Sequence, residues 1–176
     1  PLATIDDNSC DYSPPQVYAN CPAGKYQYNP SILDCREAAP GYFVNETNST
    51  QQTQCPPGNY QSNPGQTECI PADPGHYVEN PGQFSQIPCP QGSFQGDGGM
   101  DSCTEAMPGH HVPEEGALSQ TTCKPGNYQP DEGEQECLEA SPGNFVNSPG
   151  SPSQMPCDPG TDQPDEAMTS CQQADP

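Results

Sequence analysis

The segment CPPGNYQSNPGQTEC, residues 55–69, contains the pattern that runs through the whole chain. Its Gly58 belongs to a series that recurs every 17 residues, and a ring, Tyr60, follows two residues later. Such a fixed period indicates one small structural unit that is copied and stacked along an axis. The nine repeat glycines are Gly24, Gly41, Gly58, Gly75, Gly92, Gly109, Gly126, Gly143 and Gly160. The matching rings are Tyr26, Phe43, Tyr60, Tyr77, Phe94, His111, Tyr128 and Phe145, and the ninth unit has Asp162 instead.

The composition does not support one large hydrophobic core. The 176 residues include 25 prolines, 17 glycines and 11 cysteines, and the formal net charge is −21. With so little apolar surface to offset chain entropy, a covalent framework has to stabilise the fold, and disulfides are the candidate. Disulfides imply an oxidising compartment, so we expect an extracellular or cell-surface protein. We expect Pro1 to be a processed N terminus or the edge of a fragment.

The cysteines follow a period of their own. From Cys21 onwards their spacing alternates between 14 and 20 residues, which gives a period of 34, twice that of the glycines. We therefore predict repeats at residues 21–54, 55–88, 89–122 and 123–156, a partial fifth repeat at 157–176, and a divergent cap or assembly segment at 1–20.

The internal repeat favours one disulfide register over another. Counted from the repeat glycine, alternate units have cysteine at positions −3 and +11, whereas the units between them have alanine and glutamine there. Cysteines that are gained or lost together are expected to be bonded partners. This favours Cys21–Cys35, Cys55–Cys69, Cys89–Cys103, Cys123–Cys137 and Cys157–Cys171. Spacing alone leaves open the rival register Cys10–Cys21, Cys35–Cys55, Cys69–Cys89, Cys103–Cys123 and Cys137–Cys157.

The favoured register leaves Cys10 without a partner among the other ten cysteines. An odd thiol in a secreted chain suggests an intermolecular bridge or a partner outside this sequence. The alternative is that residues 1–20 form a cap with different local pairing.

Each unit is predicted to be a small β-hairpin. Asn63-Pro64-Gly65-Gln66 is a type II turn signal, because proline presets φ at the first central position and glycine accepts positive φ at the second. Since a lone hairpin is marginally stable in water, the units must stack. We therefore predict a small all-β, disulfide-rich fold, an elongated rod of hairpin repeats. The residue after the ring alternates between Gln and Val, which suggests that successive units face opposite ways.

The motif Cys55-Pro56-Pro57-Gly58-Asn59-Tyr60 and its copies resemble the opening of a tumour-necrosis-factor-receptor cysteine-rich module. They are also similar to the ephrin-receptor-like cysteine-rich repeats of extracellular surface proteins. In those families the motif heads a small β module closed by its next cysteine, so the resemblance implies the favoured pairing. This chain has two cysteines per 34 residues, fewer than receptor modules have, so only the extracellular, modular character carries over.

Few residues suggest a specific chemistry. Asn45 and Asn48 head adjacent N-glycosylation sequons, and modification of at least one of them is expected in a secreted chain. His111 occupies the ring position, and His76 and His110 occupy the variable position before it. We interpret all three as structural residues, so no metal site or cofactor is predicted. The acidic segments Asp97–Asp101 and Asp131–Glu134 are interpreted as solvated turns and not as calcium loops.

Together these observations predict a structural protein and not an enzyme, since no catalytic motif is present. The rod would form part of a cell-surface layer, stalk or filament, in which copies stack head to tail. The alternative is a receptor or adhesin ectodomain that binds a protein or a glycan. The charge of −21 argues against a nucleic-acid partner or insertion into an anionic membrane.

Overall fold

The structure is a computed structural model that describes residues 19–31 and 33–173. Within these residues there is no helix, and the chain forms nine two-stranded antiparallel hairpins, as the sequence predicts. The hairpins are β1 (Lys25–Tyr26) with β2 (Arg36–Glu37), β3 (Tyr42–Phe43) with β4 (Thr53–Gln54), β5 (Asn59–Tyr60) with β6 (Ile70–Pro71), β7 (His76–Tyr77) with β8 (Ile87–Pro88), β9 (Ser93–Phe94) with β10 (Thr104–Glu105), β11 (His110–His111) with β12 (Thr121–Thr122), β13 (Asn127–Tyr128) with β14 (Leu138–Glu139), β15 (Asn144–Phe145) with β16 (Met155–Pro156), and β17 (Thr161–Asp162) with β18 (Gln172–Gln173).

Each hairpin occupies the same place in its 17-residue unit. The first strand is positions +1 and +2, so the ring residue lies in it, and the second strand is positions +12 and +13. In the unit of Gly58, for example, Tyr60 pairs with Ile70. Two-residue strands are too short to be stable alone, so the unit depends on what closes its long loop and on its neighbours.

Two glycine positions with positive φ shape the unit. The repeat glycine Gly58 has φ 80° and Gly65, at position +7 in the loop, has φ 71°. Position +7 is glycine in six units, and the two exceptions with positive φ are Asn48 and Ala167. An L-residue there is strained, which explains why both positions are so regularly glycine.

Backbone hydrogen bonds join each unit to the next one along the chain. The N–H of Gly58 donates to the carbonyl of Val78 at 2.8 Å, and the N–H of Gly82 donates back to the carbonyl of Cys55 at 2.9 Å. Equivalent bonds recur from unit to unit over the described residues. Because these bonds link only neighbouring units, the hairpins stack in a line, and the rod predicted from the sequence is the observed fold.

A second contact skips one unit. A Cβ added to Gly58 would overlap the carbonyl oxygen of Gly99, which lies two units further along. Units with cysteine at −3 and +11 therefore stack on each other, as do the units with alanine and glutamine. We call them the cystine units (Gly24, Gly58, Gly92, Gly126 and Gly160) and the glutamine units (Gly41, Gly75, Gly109 and Gly143). The rod thus consists of two intercalated columns.

The core is thin and made of small residues. Position −3 is buried as cysteine or alanine in the first eight units, and position +3 is buried as glutamine or valine in all nine; Val112, for example, has no exposed surface. The rings of the first strands, such as Tyr60 and Phe43, are only half-buried. The buried residues at positions −3 and +3, and not the half-buried rings, therefore form the core along the rod.

Candidate functional site

The cystine units contain five disulfides, each closing the loop of its own hairpin. The Cα atoms of each pair lie between 5.6 and 5.8 Å apart, within the ordinary range for a disulfide. The bonds are Cys21–Cys35, Cys55–Cys69, Cys89–Cys103, Cys123–Cys137 and Cys157–Cys171. These are the pairs of the first of the two registers considered from the sequence. Cys10 lies outside the described residues, so its partner stays a prediction.

The glutamine units close the same loop with a hydrogen bond. In the unit of Gly109 the side-chain oxygen of Gln120, at position +11, accepts a bond from the backbone N–H of Met107 at 2.8 Å. The equivalent bonds join Gln52 with Ala39, Gln86 with Asp73 and Gln154 with Ser141. The sequence showed this glutamine as a regular replacement for cysteine, but its role as a loop closure became clear only from the structure.

In three of the five cystine units, proline at position −2 excludes the hydrogen-bonded closure. The N–H that donates a hydrogen bond to Gln120 belongs to Met107, at position −2. In three cystine units that position is proline, at Pro22, Pro56 and Pro90, which has no N–H to offer. In each of these three units, the proline at position −2 therefore occurs together with a cysteine, and not a glutamine, at position +11.

The buried glutamine at position +3 shapes the loop of the cystine units. The side-chain nitrogen of Gln61 donates to the carbonyl of Glu68 at 2.8 Å, while its oxygen accepts from the N–H of Asn63 at 3.1 Å. Gln95, Gln129 and Gln163 make the same two bonds in their own units. The glutamine units have valine at this position, as in Val78 and Val112. In the four cystine units with these bonds, both ends of the buried amide therefore have partners.

The stacking surface of a unit is formed mainly by backbone. It consists of the repeat glycine, the carbonyl of position −3 and the turn at position +7 of the neighbouring units. For seven repeat glycines an added Cβ would overlap the carbonyl oxygen of the residue at +7 two units on. At Gly143 and Gly160 nothing lies within 4 Å of that Cβ. Among the described residues, these two units therefore present this surface uncovered.

The two sequon asparagines lie on the surface. Asn45 and Asn48 are both exposed, and Asn48 occupies the +7 position with φ 60°. The backbone N–H of Asn48 donates to the carbonyl of Cys21 at 2.8 Å, so this turn is held by the usual contact between units. The glycosylation of Asn45 and Asn48 stays a prediction.

The histidines differ in their surroundings. The side chain of His76 contacts the carbonyl of Pro74 at 3.3 Å, and His110 contacts that of Pro108 at 3.2 Å. His111 instead places Nδ1 3.1 Å from Sγ of Cys137, in the next unit. The spacing of histidine and cysteine in the sequence did not indicate this contact. The contact joins residues 26 apart in sequence and arises only from stacking.

The acidic turns are exposed. Asp97, Asp101 and Asp131 all lie on the surface of the described chain. The three Lys and Arg residues are Lys25, Arg36 and Lys124, and Lys25 forms the one ion pair found within the described residues, with Glu37 at 3.3 Å. The acidic side chains therefore have few cationic partners to balance them.

No protein-family model matches this chain, and a search of the curated proteins found no match. In the described part of the chain, no helix is long and apolar enough to cross a membrane. The interpretation of function therefore rests on the fold itself. A rod of hairpins with five disulfides and surface-exposed acidic turns fits an extracellular structural or surface protein.

Proposed function

We propose that this chain is a structural element of a cell-surface layer, stalk or filament, and that copies of it stack head to tail. The observation that carries the proposal is the stacking surface. Units join through backbone groups and a glycine contact that are repeated from one unit to the next. A unit of a second copy can bind this surface in the same way as the next unit of the same chain does. Such head-to-tail contacts give an open, non-closing assembly.

Both halves of such a contact occur among the described residues. At Gly143 and Gly160 no described atom lies within 4 Å of an added Cβ, and the turns at Ser31 and Asn48 have the exposed +7 position that fills such a slot elsewhere. In a stack that continues the rod, the turn of one copy would lie against the glycine of the other.

Charge also favours this pairing of units. In the unit of Gly24, Lys25 and Arg36 balance Asp34 and Glu37. The unit of Gly160 is acidic throughout, with Asp158, Asp162, Asp165 and Glu166 and no Lys or Arg. For a chain of net charge −21, contact between its acidic unit and its neutral unit involves less repulsion than contact between two acidic units.

The test compares the wild type with Gly143→Asn/Gly160→Asn. Asparagine tolerates positive φ, as at Asn48, and the new Cβ has free space in the single chain. In a stacked assembly that Cβ would overlap the incoming turn. The matched control is Gly116→Asn, which also has positive φ but whose Cβ would approach other atoms no closer than 3.9 Å.

We expect the wild type and the control to show a molar mass that rises with concentration in sedimentation experiments, and fibres by electron microscopy. The double variant should stay monomeric and folded, with a thermal midpoint lowered only slightly by the positive φ of its two asparagines. A wild type that is monomeric at all concentrations, or a double variant that assembles equally well, would contradict the proposal.

A receptor or adhesin ectodomain is the second candidate, and exposed apolar side chains favour it. Phe84 and Leu118 occupy the same position in two glutamine units and are 61% and 57% exposed. Such residues, one repeat apart, could contact a protein or glycan partner. Binding of a partner that is lost in Phe84→Ser/Leu118→Ser, while assembly is unchanged, would favour this candidate.

We further propose that the units are related to the ephrin-receptor-like and tumour-necrosis-factor-receptor-like cysteine-rich repeats. The support is the shared opening motif and the closure of each cystine loop by the next cysteine. The same proposal includes covalent glycans at Asn45 or Asn48, no catalytic activity, and no nucleic-acid partner or membrane insertion.

A further inference from the structure

Three side chains that can bind metals meet at the boundary between the units of Gly109 and Gly126. They are His111, Cys123 and Cys137, and their ligand atoms all lie within 4.8 Å of one another. Nδ1 of His111 is 3.1 Å from Sγ of Cys137, which is bonded to Cys123. His111 and Cys137 are half-buried and Cys123 is buried, so the cluster lies at the surface of the rod with one protected side.

The equivalent place in other units lacks a nitrogen ligand. Position +2 of the preceding unit is Tyr77 beside the Cys89–Cys103 bond, and both Tyr77 and Cys103 line a similar groove there. By the repeat, Phe43 and Phe145 precede the Cys55–Cys69 and Cys157–Cys171 units. His111 is thus a departure from the repeat that adds a ligand next to a disulfide.

We propose that reduction of the Cys123–Cys137 bond converts this cluster into a zinc site. Two molecules of a small thiol would reduce the bond, forming one disulfide between themselves and leaving Cys123 and Cys137 as thiols. Zn²⁺ would then displace the two thiol protons and bind both thiolates together with the neutral imidazole of His111. Two cysteines and one histidine, with water as the fourth ligand, are a known zinc ligand set.

The geometry needs only a small rearrangement. With Zn–S distances of about 2.3 Å and Zn–N of about 2.0 Å, ligand atoms of a tetrahedral site lie roughly 3.5 to 3.8 Å apart. The His111 nitrogen is already 3.1 Å from Cys137 Sγ. Breaking the disulfide lets the two sulfurs separate to the required distance, while the backbone bonds between the two units keep His111 in place.

The groove beside the cluster has room for the fourth ligand. Its volume is about 320 Å³, and it is lined by His111, Cys137, Thr121, Thr122, Asn127 and Lys124. The ammonium of Lys124 would stabilise nearby thiolates before the metal arrives. The groove is open to solvent, so both the thiol and the metal ion can reach the sulfurs.

The experiment treats the folded chain with a limiting amount of a phosphine reductant, adds ZnCl₂, and uses native mass spectrometry with peptide mapping. Only the mass peaks of molecules with a single reduced cysteine pair are analysed. Chains that unfold because all their disulfides are reduced therefore do not affect the result. We expect a one-zinc adduct on molecules reduced at Cys123–Cys137, protection of these two thiols from alkylation, and no adduct on molecules reduced at any other pair.

Two variants sharpen the test. His111→Phe installs the side chain found in the equivalent slots of Phe43 and Phe145, and should abolish the adduct while leaving the fold intact. Tyr77→His places an imidazole beside Cys89–Cys103, and should create a second zinc-binding pair. Replacing zinc with Co²⁺ gives an independent readout, because two thiolate ligands produce a charge-transfer absorption band that His111→Phe should lose.

Several results would overturn the inference. These are the absence of an adduct on molecules reduced at Cys123–Cys137, equal adducts in His111→Phe, or equal adducts at every reduced pair. Failure to obtain the reduced Cys123–Cys137 pair with the other four bonds intact would also count against it, since the site would then not belong to the folded rod.

Discussion

The cystine units and the glutamine units have the same backbone path but close it by different chemistry. In the cystine unit of Gly92 the loop is closed by Cys89–Cys103, and the buried Gln95 is bonded within that loop. In the glutamine unit of Gly109 the loop is closed by Gln120, and the buried position is the apolar Val112. One fold therefore tolerates a covalent or a hydrogen-bonded closure.

The difference shows how little stabilisation each hairpin needs. A disulfide that closes a loop of about 15 residues contributes roughly 3 kcal/mol in the chain-entropy model, whereas a net hydrogen bond contributes about 1 kcal/mol. Each glutamine unit in the interior lies between two cystine units and shares backbone bonds with both. We infer that four of the nine units can use the weaker closure because their neighbours are covalently closed.

The largest effect is expected at the repeat glycines, where the two unit types do not differ. Gly109→Ala would place a methyl group onto the carbonyl oxygen of Gly150, with φ of the glycine at 80°. Strain and overlap together should cost about 2 to 6 kcal/mol of unfolding free energy. Gly143→Ala is the matched control, with the same φ of 80° but nothing within 4 Å of the new Cβ. Chemical denaturation measures both, and equal losses would show that overlap is unimportant.

The second prediction converts a cystine unit into a glutamine unit. Cys89→Ala/Cys103→Gln should lower the unfolding free energy by about 3 kcal/mol, since the disulfide is lost. The side-chain oxygen of the new glutamine has no N–H from which to accept a hydrogen bond, because position −2 is Pro90.

Adding Pro90→Ser supplies that N–H and should restore about 1 kcal/mol. The measurement is the denaturant midpoint of the double and triple variants under oxidising conditions. If the triple variant were no more stable than the double, the matching of positions −2 and +11 would be incidental.

The smallest effect is expected for the hydrogen-bonded closure alone. Gln120→Ala removes the acceptor of the Met107 N–H and should cost about 1 kcal/mol. The exposed Gln135 provides the control, since Gln135→Ala should stay within about 0.5 kcal/mol of the wild type. A loss at Gln120 as large as that of a disulfide would mean that the two closures are energetically equivalent. Thermal unfolding curves at one scan rate are sufficient for this comparison.

Much of the fold could be predicted because the repeat supplies internal comparisons. The joint presence of cysteines at −3 and +11 favoured the pairing seen in Cys55–Cys69, and the Pro-Gly signal at Pro64 and Gly65 placed the turn. The hydrogen-bonded role of Gln86 was not predicted, because a glutamine in a sequence does not reveal its partner. The proximity of His111 and Cys137 was missed because it depends on how one unit lies on the next.

The sequence by itself determined the unit. Its glycine period, turn signals and paired cysteines specify a hairpin of fixed length, because φ preferences and loop closure are local properties. The tertiary structure alone decided how units meet. That repeat glycines lie against turns two units away, that glutamines replace disulfides through a backbone donor, and that one histidine reaches a sulfur all result from stacking. Such contacts depend on how successive units stack, which no single residue specifies.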